Sequence, residues 1–251
     1  MNEITLWIMT GGMVVLSVLS GMLGLGVAFA AVPFLSFFLP DLVDQVQPLT
    51  LLLNGFTGFA SAWGFSRSGF VDWKRALPLA GVTTVAAPIG AAFAHSVPQT
   101  IIWGLYLASV SYLVYRLFRP VKGGAKGEET EVRHGMTLLL AVPISMLSGL
   151  LGVGPGFLLM PTLIILGYEP KKAAGVNAVA ITPPSFTSLV PHLSEAQWDV
   201  RALLVLVPLS VFASFLGARL TSRFVRGPRL KQLFGLVIVI MTAYKVFRLL
   251  C

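Results

Sequence analysis

Charge is scarce in this chain, and acidic charge scarcer still: 11% of the 251 residues are charged, and only ten are Asp or Glu. All ten fall between or outside the long apolar runs. The interior of those runs therefore offers no carboxylate for a cation and no acidic proton relay of the pump type. One cysteine, Cys251, excludes an intrachain disulfide and a cysteine metal cluster. Of the three histidines, His134 lies in a polar linker, and His95 and His192 lie near the ends of apolar segments. A solvated, interfacial role is expected for these last two, with protonation-linked gating as the second reading. The opening "MNEITLWIMT" has no basic stretch before its apolar run, so no cleavable signal peptide is expected.

What the chain does have is hydrophobicity, at 56% of residues, in runs of 18 or more. These define an integral membrane protein. The net charge of +8 does not point to nucleic acid, because the basic residues sit in short loops rather than on a soluble face. Eight apolar segments are read, at about 5–39, 46–66, 74–95, 98–118, 135–167, 173–192, 200–222 and 231–250.

The chain is duplicated. Leu19–Leu39, "LSGMLGLGVAFAAVPFLSFFL", and Leu147–Gly167, "LSGLLGVGPGFLLMPTLIILG", lie 128 residues apart and share nine of twenty-one positions. Composition alone would give roughly two or three. Further on, "RAL" recurs at Arg75–Leu77 and Arg201–Leu203, and Gly90-Ala91 recurs as Gly217-Ala218. The expected division is a first transmembrane repeat at 1–118, a polar cytoplasmic linker at 119–134 and a second repeat at 135–251.

The opening segment of each repeat is too long for one straight span. Thirty-odd residues make about 50 Å of helix against a hydrocarbon core of roughly 30 Å. Gly24 and Gly26, and Gly152, Gly154, Pro155 and Gly156, mark where each breaks. Simple crossing by every segment divides the eighteen Lys and Arg residues eleven against seven. If each broken segment instead turns back as a re-entrant hairpin, the division becomes fifteen against three, with only Arg201, Lys245 and Arg248 on the minority side. The fold class expected is thus an all-α polytopic membrane protein of two inverted-topology repeats. Each repeat holds one broken hairpin and three transmembrane helices. The linker is then cytoplasmic and both termini are extracytoplasmic, in a cytoplasmic (inner) cell membrane.

Irregular backbone at membrane depth survives only inside protein or beside a polar cavity, and two equivalent breaks point to a midplane substrate site. A helix restarting after glycines presents N–H groups and a positive dipole end, which suit an anion. Close packing of small residues is the competing reading, and the preferred one for Gly90, Gly104, Gly217 and Gly235. The other candidates are neutral donors. Asn54 and Asn177 lead, since a buried amide is costly unless paired and can donate twice to an oxyanion. Thr182, Ser185 and Ser148 follow. Interhelical hydrogen bonding is the alternative for the asparagines, and back-bonding for the serines. Pro183-Pro184 is expected to break the sixth segment, and Trp63 is placed on the pathway or at an interface. The anion-binding set is therefore Gly24, Gly26, Asn54, Ser148, Gly152, Gly154, Gly156, Asn177, Thr182 and Ser185. The expected partners are a small anion and the lipid bilayer, with a homodimer left open; no cofactor, metal or nucleic acid is expected.

The paired "SGxLGxG" stretches at Ser20–Gly26 and Ser148–Gly154, each followed by an apolar run containing Pro33 or Pro161, resemble the sulfite exporter TauE/SafE family, also called 4-toluene sulfonate uptake permeases. The resemblance implies a transporter of sulfite, sulfonates or related organosulfur anions, not an enzyme. The first copy departs from the pattern after Gly26, where "VAF" stands in place of "PGF" and lacks its further glycine, so the second half is expected to carry the tighter site. Export is favoured because an inside-negative potential drives an anion outward by about 2.3 kcal/mol per charge per 100 mV. Proton-coupled uptake and an anion channel are the alternatives. A serine hydrolase built on Ser148 and His192 is the enzyme rival.

Overall fold

A computed structural model describes residues 3–118, 134–197 and 199–225, and these residues form helices and no strand. Nine α-helices follow in order: α1 Glu3–Leu23, α2 Ala28–Leu35, α3 Gln47–Ser66, α4 Trp73–Ala92, α5 Gln99–Phe118, α6 His134–Leu151, α7 Gly156–Ile165, α8 Pro170–Leu189 and α9 Val200–Phe224. The eighth apolar segment, Gly235, Cys251 and all but the last residue of the linker lie outside the described residues. Helices α1, α4, α6 and α9 are each long and apolar enough to cross a membrane. Their outward faces are bare hydrocarbon, with Trp7, Ile8, Val15, Leu139, Leu204 and Phe212 more than half exposed. A water-soluble domain would hide such a surface, whereas a bilayer covers it.

Each half opens with a long helix, a glycine break and a short helix. The break is a Schellman cap. The Gly24 N–H donates to the Gly21 carbonyl at 3.2 Å and the Leu25 N–H to the Ser20 carbonyl at 3.0 Å. In the second half Gly152 donates to Gly149 at 3.0 Å and Val153 to Ser148 at 3.2 Å. Gly24 and Gly152 have φ of 63° and 66°, and Gly26 and Gly154 follow at 67° and 68°. Two left-handed residues so close together reverse the chain, and only glycine adopts them without a Cβ penalty. The reversal is real: the ring of Phe34, near the end of α2, fills the space a side chain on Gly12 would need, halfway back along α1. The hairpin is lopsided, however, because α1 is itself long enough to span while α2 has only eight residues.

The two halves interlock by exchange. α1 lies along α9, and α6 along α4, each pair in backbone contact at glycines. Gly21 and Gly217 meet the backbones of Ser214 and Val18, while Gly149 and Gly90 meet those of Ala87 and Met146. Packing is thus what Gly90 and Gly217 do, as expected. Gly104 does not fit that expectation: nothing lies within 4 Å of the place where its Cβ would be.

α3 and α8 pack against each other at the centre. α1 begins at the end of the molecule where α3 begins, since Met9, Gln45 and Leu49 line one cavity there. α6 begins at the other end, where His134 meets Tyr168 at 3.3 Å and Arg75 lies over the Tyr168 ring. Asp72 and Asp199 cap α4 and α9 through the N–H groups of Arg75 and Ala202.

The prolines of α8 do not break it, contrary to expectation; the helix runs unbroken through Pro183 and Pro184. A proline frees the carbonyl four residues back, and here a neighbour takes it. Pro184 frees Ala180, whose carbonyl accepts from Thr83 Oγ1 at 2.7 Å. Pro88 in α4 frees Thr84, whose carbonyl accepts from Thr187 Oγ1 at 3.0 Å. α4 and α8 therefore exchange threonine hydroxyls across their two proline sites.

Candidate functional site

The two breaks meet. Phe29 and Phe157, equivalent residues one position into α2 and α7, stack with centroids 6.3 Å apart and planes 11° from parallel. Beside them the Leu25 carbonyl faces Gly156 so closely that a methyl there would collide. α3 and α8 cover this crossing from both sides, and every residue in it is buried.

Asn54 on α3 lies between the breaks. Its Oδ1 accepts from the Ala28 N–H at 2.9 Å, and its Nδ2 donates to Ser185 Oγ on α8 at 2.8 Å. Methyl groups on Gly26 or Gly154 would strike this one amide from either side. Thr57, one turn on, accepts from the Val27 N–H at 3.3 Å. The start of α2 is thereby capped from α3, satisfying donors a short helix leaves open. α7 has no matching arrangement: the place on α8 equivalent to Asn54 is Ile181, and Pro155 brings no N–H and no capping side chain.

Asn177 does a different job. Its Nδ2 donates to the Gly24 carbonyl at 2.7 Å and to the Gly156 carbonyl at 3.3 Å, tying both breaks to α8. Its equivalent on α3 is Thr50, which donates to the Gly152 carbonyl at 3.2 Å. The bonds thus pair Asn177 with Thr50 rather than with Asn54. Asn177 Oδ1 has no partner.

Eight of the ten candidate residues therefore share this crossing: Gly24, Gly26, Asn54, Gly152, Gly154, Gly156, Asn177 and Ser185. Ser148 is buried on α6, its carbonyl closing the break and its hydroxyl without a partner. Thr182 back-bonds to Ala178 at 2.8 Å and faces a cavity of about 450 Å³ lined also by Trp63, Arg67 and Trp73. Each asparagine makes the bonds to other segments that were its alternative reading, since each amide nitrogen donates to protein here. Gln47, Thr50 and Thr57 complete the set. Their positions on the α3 face bearing Asn54 were readable, but not their partners.

His192 departs from its expected solvated role. It lies at an α8 end but is wholly buried, and its contact with the Val43 backbone falls short of a well-formed hydrogen bond at either ring nitrogen. Burial, reinforced by the neighbouring His95, pushes its pKa down to about 4, against a weak upward pull from the Val43 backbone. Ser148 and His192 make no hydrogen bond to each other.

The geometry defines a polytopic helical membrane protein in which two half-helices meet at a neutral, hydrogen-bonded centre. The chain belongs to the sulfite exporter TauE/SafE family, whose model matches residues 8–245. It is 25% identical to a "Probable membrane transporter protein" of Xylella fastidiosa (strain 9a5c), covering 91% of this chain and 90% of that one. It is 26% identical to "Probable membrane transporter protein YunE" of Bacillus subtilis (strain 168), covering 84% and 88%. A relative in Methanocaldococcus jannaschii, "Probable membrane transporter protein MJ0441", is 20% identical over 83% of this chain and 84% of that one. No solved structure gives a significant match.

Proposed function

We propose that this protein is a secondary transporter that exports small sulfur-containing anions, sulfite and sulfonates foremost, by alternating access around the crossing of α2 and α7. The carrying observation is Asn54, one neutral amide held between both glycine breaks. The acidic residues among those described lie at the helix ends, so an oxyanion at the crossing meets donors and no opposing carboxylate. The crossing as described is closed. Opening it would free Asn54 Nδ2 from Ser185 and expose the uncapped start of α7, in keeping with a tighter site in the second half.

Sidedness supports the same reading. Arg67, Lys74, Arg75, Lys171, Lys172, Arg219 and Arg223 lie towards one end of the described helices and Arg201 at the other. We assign the basic end to the cytoplasm, which makes the halves inverted repeats, puts the linker inside and the termini outside, and places the chain in the inner membrane. The cavity holding Arg67 and Thr182 then opens from the cytoplasmic side and approaches Ser185 within one turn of α8.

The test is sulfite flux into proteoliposomes with the potential clamped by potassium and valinomycin. Saturable flux that follows the potential and is competed by small sulfonates supports the proposal. Flux requiring an inward proton gradient would replace export with coupled uptake, and flux that never saturates would make the protein a channel.

A further inference from the structure

Away from the crossing, the end of the molecule where α4 and α8 finish gathers four titratable side chains that the transport reading does not use. Asp44 comes from the π-helical turn Leu42–Val46 before α3, and His95 from the 3₁₀ turn Ala94–Ser96 after α4. His192 comes from the turn Val190–His192 after α8, and Glu195 follows it. His95 Nε2 stands 3.6 Å from Asp44 Oδ1 and 3.3 Å from Glu195 Oε2. One donor atom from each of these three residues lies within 4.8 Å of the other two. The His192 ring lies 5.0 Å from the His95 ring, centroid to centroid.

The spacings bear on two explanations. A charge-assisted hydrogen bond between imidazole and carboxylate closes to about 2.7–2.9 Å. Donors sharing a tetrahedral ion at about 2.0–2.2 Å stand roughly 3.3–3.6 Å from one another. Both His95 contacts fall in the second range. A surface histidine beside two acids also leaves His192 unexplained. This imidazole is wholly buried, has no well-formed hydrogen bond, and lies against the ring of His95.

We propose that Asp44, His95 and Glu195 form a binding site for a divalent cation of the zinc type beside the buried His192 ring, with water completing the coordination. Mixed imidazole and carboxylate donors suit Zn²⁺ and its neighbours rather than Ca²⁺ or Mg²⁺, which prefer oxygen throughout. Glu195, with 60% of its side chain exposed, leaves the cluster open to solution. The ion would join the two halves, since Asp44 and His95 belong to the first and Glu195 to the second. The halves already touch here, the Gln197 N–H donating to the Asp44 carbonyl at 2.9 Å and Gln45 Nε2 to Gln197 Oε1 at 2.9 Å. An ion at this place braces that end of the molecule.

The experiment uses the full-length, tag-free protein in lipid nanodiscs, stripped with chelator. Zn²⁺ is titrated calorimetrically, and Co²⁺ is followed by visible absorption. One ion per chain is expected, with the intense bands of four-coordinate Co²⁺. Glu195→Gln and His95→Gln should each weaken Zn²⁺ binding by at least about tenfold, the least a ligand's removal costs when supporting residues alone cost that much. His134→Gln, at the opposite end, should leave binding unchanged. Absence of saturable binding, or binding indifferent to both cluster substitutions, would overturn the site. The readout is binding rather than flux, so its outcome is independent of whether sulfite is carried. Glu195→Gln changes an exposed side chain, so misfolding does not cloud the result.

Discussion

Phe29 and Phe157 stack across the centre of the molecule, each one position into a half-helix and each the other's counterpart in the duplicated sequence. The pair joins the two hairpins directly, so the breaks share one packing contact. Phe29→Ala and Phe157→Ala should each lower unfolding stability. The double variant should lose less than the two combined, by a coupling of about 0.5–1.5 kcal/mol. Unfolding in mixed micelles measures this, and strict additivity would mean the contact carries no coupling.

Asn54 has separable structural and electrostatic roles. Asn54→Leu removes the acceptor for the Ala28 N–H and the donor to Ser185, so stability should fall by about 1–3 kcal/mol together with flux. Asn54→Asp keeps the acceptor but brings a negative charge to the crossing. It should fold better than the leucine variant at high proton concentration, where the carboxyl is neutral. At neutral pH it should carry sulfite about tenfold more slowly, or worse. Thermal denaturation and flux, read side by side, distinguish the two roles.

The glycines provide an internal control. Gly26→Ala and Gly154→Ala force a side chain into left-handed backbone and against the Asn54 amide, which should cost about 2 kcal/mol or more each. Gly104→Ala meets nothing on an exposed helix face and should be neutral or stabilising by up to about 1 kcal/mol. Equal losses at all three positions in a denaturation series would remove the breaks from their special place in this account.

Orientation is testable with single cysteines in a Cys251→Ser background. Ser194→Cys should react with an impermeant maleimide added to intact cells. Lys172→Cys should react only after permeabilisation. The reverse pattern would turn the molecule over in the membrane and with it the direction argument.

Much of this was legible in the sequence because duplication and glycine chemistry are both local signals. "SGxLGxG" contains the whole Schellman cap: the serine carbonyl accepts the last bond and the second glycine of the motif takes the left-handed position. What was not legible depended on partners distant in the chain. Nothing near Pro184 reveals that Thr83 takes up the carbonyl it frees, so α8 looked broken. Nothing near Asn54 shows that its oxygen caps α2, so the sequence left oxyanion binding and interhelical bonding both open for the asparagines. His192 looked solvated because it ends a helix, but the turns Leu42–Val46 and Ala94–Ser96 come up against it. Gly104 looked like a packing residue because small residues in apolar helices usually pack against a neighbour, yet its face of α5 is open.

The most direct test compares saturable sulfite flux through wild type and Asn177→Leu in vesicles holding equal amounts of folded protein. Asn177 ties both breaks to α8, so the account predicts that the variant loses the saturable component while remaining inserted and monodisperse. Asn177→Thr, which copies the hydroxyl that Thr50 supplies in the other half, should restore part of it. Undiminished saturable flux through Asn177→Leu would contradict the account, because substrate would then be crossing the membrane without using the place where the two broken helices meet.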